Sequence, residues 1–325
     1  MRFLVISLIA LSALTASASD ILWPTPSTAF NEGKHYKDFI QPTAIGNLEG
    51  GLFGDTRNSG YKFHEGIDIK SVNRNKSGHA QDDIFASIDG EIVLINHTAW
   101  QSNYGKYVVI EHNFLDVNVY TLYAHLSEVS KNLKVGDVVK AGTTLGTMGG
   151  TPNIAKAQEH LHFEIGLRMS DKFQVWYDKQ KFGSKNYFGN YNGMNLSGFD
   201  ALHFFEALKK GEFSDMKTYI QSLPTAFVVR VYTKQIPSFA KRYPALVDNN
   251  GEEIAWDIYF TWYGLVKKLE RIKDPRVGAR EGDCEVVKYN PNELKRKCKK
   301  LVDLNKDGTL SPNKELRDIL QKLFL

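Results

Sequence analysis

Two short segments carry the side chains best suited to chemistry: Phe63-His64-Glu65-Gly66-Ile67-Asp68 and His160-Leu161-His162-Phe163-Glu164. The first sets a histidine and a carboxylate four residues apart. The second sets two histidines at i and i+2, so on a β-strand both point to one face. A catalytic zinc site takes three protein ligands of the His, Asp and Glu kind and keeps a fourth position open for water. His64, Asp68 and one histidine of the pair complete such a set and leave the other histidine free for proton transfer. Zinc lowers the pKa of a coordinated water to about 7 and polarises a carbonyl. A neighbouring histidine can then carry a proton from that water to a leaving amine. Each motif alone is common, and their company is what makes them specific. A third histidine, His125, stands in Leu122-Tyr123-Ala124-His125-Leu126-Ser127 at the end of an apparent strand.

A scaffold of short strands must hold these residues. From Ile84 to Gly166 the chain alternates apolar and polar residues in brief runs separated by glycine turns. Runs at Ile84–Asn96, Tyr107–His112, Val119–His125, Lys134–Gly142 and Thr144–Gly150 read as strands, with Asn113–Asp116 as a turn. The expectation is a small, mostly antiparallel β domain over residues 48–168, preceded by an N-terminal segment at 19–47. Residues 169–200, rich in aromatics, Gly and Asn, read as a loop packed on that domain. An α+β accessory region is expected over 201–290, with a helix at Ala201–Lys210 and a strand at Thr225–Tyr232. The aromatics of Ala255–Leu269 (Trp256, Tyr259, Phe260, Trp262, Tyr263) have helix-like spacing and read as core rather than as a sugar-binding face.

Taken in order, H-x-G-x-D, Y-A-H-L-S, K-V-G-D-x-V-x-x-G-x-x-L-G and H-L-H-F-E resemble the lysostaphin-type zinc endopeptidases that cut peptidoglycan peptides. The resemblance covers roughly Leu52 to Gly166 and implies an antiparallel β fold with a zinc-floored groove. Carried over by position, it implies that His64, Asp68 and His162 ligate one zinc and that His125 and His160 are the catalytic pair. Two departures stand out. Glu159 occupies the place of the family's usual glycine before H-L-H, and Ser71–Asp83 is longer and more polar than the usual link. His35, His79, His97, His112 and His203 match no family position and read as structural or surface residues.

Near the C-terminus, Asp303-Leu304-Asn305-Lys306-Asp307-Gly308-Thr309-Leu310-Ser311 has the opening pattern of an EF-hand calcium loop. Asp303, Asn305, Asp307, the Thr309 carbonyl and Ser311 are the expected calcium ligands. Glu315 arrives one residue late, because Lys314 fills the twelfth position. Helices are expected at Asn292–Val302 and Pro312–Phe324, making 291–325 an EF-hand-like helix-loop-helix.

The chain has 325 residues, 42% hydrophobic and 24% charged, enough for about two domains. Arg2, the apolar run Phe3–Ala13 and Ala16-Ser17-Ala18 read as a signal peptide over residues 1–18. Export is therefore expected, to the periplasm or the medium, with no membrane span in the mature chain. In that oxidising setting a Cys284–Cys298 disulfide is expected. The net charge of +4 divides into +6 over Lys267–Leu325 (sixteen basic, ten acidic residues) and −2 elsewhere. That basic end reads as a solvated face, and the aromatic-basic interleaving of nucleic-acid modules is absent. The partner expected is peptidoglycan and the protein a monomer. Two rivals stay open: a catalytically silent peptidoglycan-binding regulator that activates another wall hydrolase, and a metal-binding protein without hydrolytic function.

Overall fold

A computed structural model describes residues 21–151, 154–248, 255–273 and 279–325; the expected signal segment, 1–18, lies outside the described residues. Strands β1 (Gly54–Arg57) and β2 (Lys62–His64) form a separate two-stranded ribbon, with Gly54 opposite His64 and Arg57 opposite Lys62. Nine strands follow: β3 (Ile67–Lys70), β4 (Asp83–Phe85), β5 (Gly90–Asn96), β6 (Lys106–Phe114), β7 (Val117–Val129), β8 (Val138–Val139), β9 (Thr144–Met148), β10 (His160–Arg168) and β11 (Leu196–Phe199). They build one sheet whose main path is β11-β10-β7-β6-β5-β8, and all of its pairings are antiparallel. The expected mostly antiparallel β domain is therefore present. Its strand at Lys134–Gly142 shrinks to Val138–Val139, because turns at both ends consume the rest.

Strand β10 is the centre of the domain. All nine of its residues are buried, with the apolar set Leu161, Phe163, Ile165 and Leu167 alternating with His160, His162 and Glu164. A period of two thus sends the apolar side chains to the core and the chemical ones to the opposite face. One edge of β10 is shared, by β3 along 160–163 and by β11 along 165–168. The segment 169–200 is consequently not a plain loop, since it holds helix α1 (Phe173–Gln180) and strand β11.

The rest of the chain is α+β. Helices α2 (Ala201–Lys209), α3 (Met216–Ser222) and α4 (Ser238–Arg242) accompany a five-stranded sheet in the order β13-β15-β14-β12-β16. Its strands are β12 (Phe227–Tyr232), β13 (Val247–Asp248), β14 (Ala255–Phe260), β15 (Val266–Ile272) and β16 (Cys284–Tyr289). The expected helix over 255–269 is instead the β14–β15 hairpin. Trp256, Ile258 and Phe260 are buried at period two, Asp257 faces the other way onto Arg230 at 2.8 Å, and Gly264 turns the chain at φ +94°. One continuous apolar core joins both sheets, from Ile67 and Phe163 to Phe227, Leu269 and Leu316. Trp23 of the N-terminal segment stacks on Phe30 at 4.5 Å and meets Phe39 and Phe205 edge-on. Arg168 and Arg242, from the two sheet units, share the carboxylates of Glu111 and Asp171.

The C-terminal expectations need correction. Residues 292–301 form turns rather than a helix, and the EF-hand-like loop is closed by a hairpin of β17 (Val302–Leu304) and β18 (Leu310–Pro312) before helix α5 (Lys314–Leu323). The oxygens expected to converge on calcium make hydrogen bonds within the hairpin. The Thr309 carbonyl accepts from Asn305 N at 2.8 Å, and Asp307 Oδ1 accepts from Thr309 N and Oγ1 at 3.0 and 2.6 Å. Asn305 Oδ1 accepts from Ser311 Oγ at 3.0 Å, and Glu315 pairs with Lys299 at 3.5 Å. Asp303 lies in β17 opposite Ser311. Cys284 and Cys298 are free thiols, not a disulfide. Cys284 Sγ accepts from Arg317 Nη1 of α5 at 3.5 Å, whereas Cys298 sits in the turn segment beside Asp55.

His112 on β6 supplies a pH prediction. Its ring donates to the Asp89 carbonyl (2.9 Å) and meets Thr121 Oγ1 (2.7 Å), and burial holds its pKa down to about 4. The unfolded chain takes up that proton near pH 6.5. The neutral ring therefore contributes fully above pH about 6.5 and loses its contribution, about 3 kcal/mol, as pH falls to about 4. Thermal unfolding across that window should show Tm dropping in the wild type, with a shallower drop in His112→Gln.

Candidate metal and catalytic site

Three separate pieces of chain converge on one point. Asp68 on β3 is the cross-strand partner of His162 on β10, so register alone places their side chains together. His64 ends β2, and the chain reaches β3 through Glu65-Gly66. A Cβ on Gly66 would stand 2.2 Å from the Phe163 carbonyl oxygen, so only glycine lets this turn pass over β10. That is the physical reason for the glycine of H-x-G-x-D.

His64 Nε2, Asp68 Oδ1 and His162 Nδ1 form a triangle with sides of 3.1 Å. Ligands bound tetrahedrally at the usual zinc distances stand about 3.3 Å apart, so the spacing suits one ion. Among the described residues these three form the one His/Cys/Asp/Glu group of metal-binding geometry. The tautomers agree. His64 Nδ1 donates to the Leu52 carbonyl at 2.8 Å, and His162 Nε2 donates to Glu164 Oε1 at 3.0 Å. With those tautomers each ring turns the lone pair of its other nitrogen toward Asp68 Oδ1, as metal-ligating histidines do. Against burial, hydrogen bonds to Asp68 and Glu164 push His162 up to about 9. Burial holds His64 below its ordinary value, and the surrounding histidines outweigh burial to hold Asp68 well below its own. The donor set fits zinc.

Residues with no assigned role in the sequence surround this triangle. Glu164 accepts from Tyr104 Oη at 2.6 Å and Tyr120 Oη at 2.9 Å, and burial with the Glu164 charge pushes both phenols well above the usual range. They remain donors and fix the carboxylate that fixes His162. Arg57 Nη2 donates to Asp68 Oδ2 and lies 2.9 Å from His64 Nε2, while its Nε donates to the Gly50 carbonyl at 3.0 Å. Glu164 had a readable signal, the i+2 spacing from His162. Arg57 had none, because β1 joins the site only through the ribbon. Glu164→Gln should weaken metal affinity about 10- to 100-fold with the fold intact, measured by zinc competition against a chelator.

His125 and His160 stand beside the triangle. His160 Nε2 is 3.3 Å from Asp68 Oδ1, and its Nδ1 donates to the Gln158 carbonyl at 2.6 Å. The rings of His125 and His160 meet edge-on at 4.9 Å, and His125 lies 5.8 Å from the His162 ring. His125 is the extra residue of a bulge in β7: Lys106 pairs Leu126, but Val108 pairs Tyr123. Its φ of +63° turns the side chain out of the ladder, as bulges beside active sites do. Its Nδ1 is buried without a hydrogen-bond partner, and burial beside two other histidines holds the ring well below its ordinary pKa. All five histidine and aspartate positions named in the sequence are thus brought together.

A groove of about 780 Å³ opens over Asp68, His125 and His160. One wall is the N-terminal segment from Gln41 to Asn47, anchored where Ile40 bridges Ile69 of β3. Thr151, Ile154, Ala155 and Gln158 also line it. The two departures from the family pattern explain each other here. The Glu159 carboxylate accepts from Ala80 N at 2.6 Å and from His79 Nδ1 at 2.8 Å, tying down the long 71–83 link that Asp82 holds at its base. The β1–β2 ribbon is braced from outside by the basic C-terminal segment. Lys297 Nζ donates to the Ser59 carbonyl at 2.8 Å and covers the Tyr61 ring, Arg296 faces Asp55 at 3.5 Å, and Lys299 lies over Phe63 at 5.0 Å.

No curated protein matches this sequence. Among solved structures, the catalytic domain of lysostaphin from Staphylococcus simulans is 25% identical over 48% of this chain and 87% of its own, with a TM-score of 0.29. A zinc-containing peptidase from Vibrio cholerae is 25% identical over 40% of this chain and 34% of its own, with a TM-score of 0.29. Csd3 from Helicobacter pylori is 21% identical over 59% of this chain and 39% of its own, with a TM-score of 0.30. The family model for peptidase family M23 matches residues 62–174, the stretch that contains the triangle and both neighbouring histidines. Residues 62–174 are a domain of peptidase family M23.

Proposed function

We propose that the chain is an exported zinc endopeptidase that hydrolyses peptide bonds in peptidoglycan stem peptides or cross-links. In this reading His64, Asp68 and His162 hold the metal, and His125 and His160 move protons. The observation that carries it is the triangle with two fixed tautomers, set under a groove into which two further histidines project. Zinc, when bound, would supply a Lewis acid for the scissile carbonyl and acidify a water. His125, neutral and bare at Nδ1, can accept the proton of the attacking water and return it to the leaving amine. His160 keeps Nε2 as an acceptor because its Nδ1 proton is committed to Gln158. Arg57 binds the second oxygen of Asp68 and so orients the first.

The silent-regulator reading is disfavoured because all five positions are filled and assembled. A metal carrier without chemistry gives no reason for a strained backbone at His125. Export accords with the sequence of residues 1–18, and no helix among the described residues is long and apolar enough to cross a membrane. The groove is built within one chain, so a monomer suffices. Incubating the mature zinc-loaded protein with purified sacculi should release soluble fragments with new amino termini. Sacculi left intact, with zinc bound, would overturn the peptidase reading.

A further inference from the structure

We propose that the groove selects peptides bearing a free carboxylate one or two residues from the scissile bond, and that Lys62 receives it. The inference rests on the peptidase reading and names the substrate class of that site. Apart from its histidines, the groove has three charged residues: Arg57, Lys62 and Asp68. Asp68 is spent on three histidines and Arg57, and Arg57 on Asp68 and the Gly50 carbonyl. Lys62 is exposed and, among the described residues, pairs with no carboxylate. The amides of Gln41, Asn47, Asn58, Asn103 and Gln158 line the remainder and suit a neutral peptide backbone. The unspent charge in the trough is therefore positive.

Its position is specific. Lys62 and His64 are at i and i+2 on β2, so they share a face about 7 Å apart along the strand. An extended peptide in the groove advances about 3.3 Å per residue, which places Lys62 beside its first or second residue from the metal. Lys62 also stands opposite Arg57 in the ribbon, and since the Arg57 charge is taken up by Asp68, the Lys62 ammonium is the charge left without a partner on this face. The turn between them holds Asn58 and Ser59 in the left-handed region, at φ +50° and +55°, beside the groove they line.

The test is a pair of synthetic cross-linked peptides, identical except that the carboxylate beside the scissile bond is free in one and amidated in the other. The wild type should cleave the free acid with a KM roughly 10- to 100-fold lower, the difference shrinking with added salt. Lys62→Gln should bring the ratio of the two substrates near one, and Lys62→Arg should restore it, with zinc content equal throughout. Equal KM values in the wild type, or an undiminished ratio in Lys62→Gln, would overturn the proposal. Binding of the same two peptides to zinc-loaded His125→Asn, by fluorescence anisotropy, reads the preference without turnover. Preferential binding without any wild-type cleavage would sink the peptidase reading and keep this one; equal binding would sink this one alone.

Discussion

His64→Ala is expected to emerge from purification without metal, zinc falling from about one per chain to near zero, and with no measurable peptidase activity. The variant deletes one vertex of a triangle whose other two atoms come from neighbouring strands of the main sheet. Loss of a partner behind a ligand costs about 10- to 100-fold in metal affinity, and loss of a ligand itself must cost more. A second readout is stability. Zinc at a thousandfold excess over its Kd stabilises the wild type by about 4 kcal/mol, so a chelator should lower the wild-type Tm and leave the variant unmoved. The melt of metal-free wild type is the control for damage done by freeing the Leu52 carbonyl. Full zinc occupancy in His64→Ala would remove His64 from the ligand set.

His125→Asn is expected to keep its zinc and lose about 10² to 10⁴ in kcat, the range of a positioned general base. Asparagine is chosen because it tolerates the left-handed backbone that the bulge imposes at φ +63°, where alanine would add strain of its own. His160→Ala should likewise keep zinc and lose rate. The two histidines of β10 can be separated by metal content: zinc lost from His160→Ala but kept by His162→Ala would exchange their roles. The structure favours the assignment made here, because Glu164 and its two tyrosines back His162, whereas a loop carbonyl backs His160.

Much of this site was legible in the sequence because strand periodicity is rigid. His160 and His162 had to share a face. Arg57, the Leu52 carbonyl and the N-terminal wall of the groove were not legible. They reach the site through contacts between segments distant in sequence, which leave no local pattern. The misreading of Ala255–Leu269 has a different cause. Trp256, Tyr259, Phe260 and Tyr263 fit a helical stripe, yet Trp256, Ile258 and Phe260 fit a strand equally, and pairing with β12 decides between them. The segment before the C-terminal hairpin offered helix-forming lysines and a leucine, but those lysines are committed to Ser59, Tyr61 and Phe63 of the metal-bearing half.

That brace bears on when the site can first be held together. A ribosome delivers residues 62–174 long before Arg296, Lys297 and Lys299, the side chains that steady the ribbon carrying His64 and Arg57. Until residues 296–299 are made, the ribbon has its own pairing, the Arg57 bonds to Asp68 and Gly50, and the His64 bond to Leu52 for support. The ribbon therefore gains its outer support only after the residues that follow the second sheet have been made. A product clipped near residue 290 would carry every histidine of the site yet lack the basic side chains that brace the ribbon bearing one of them.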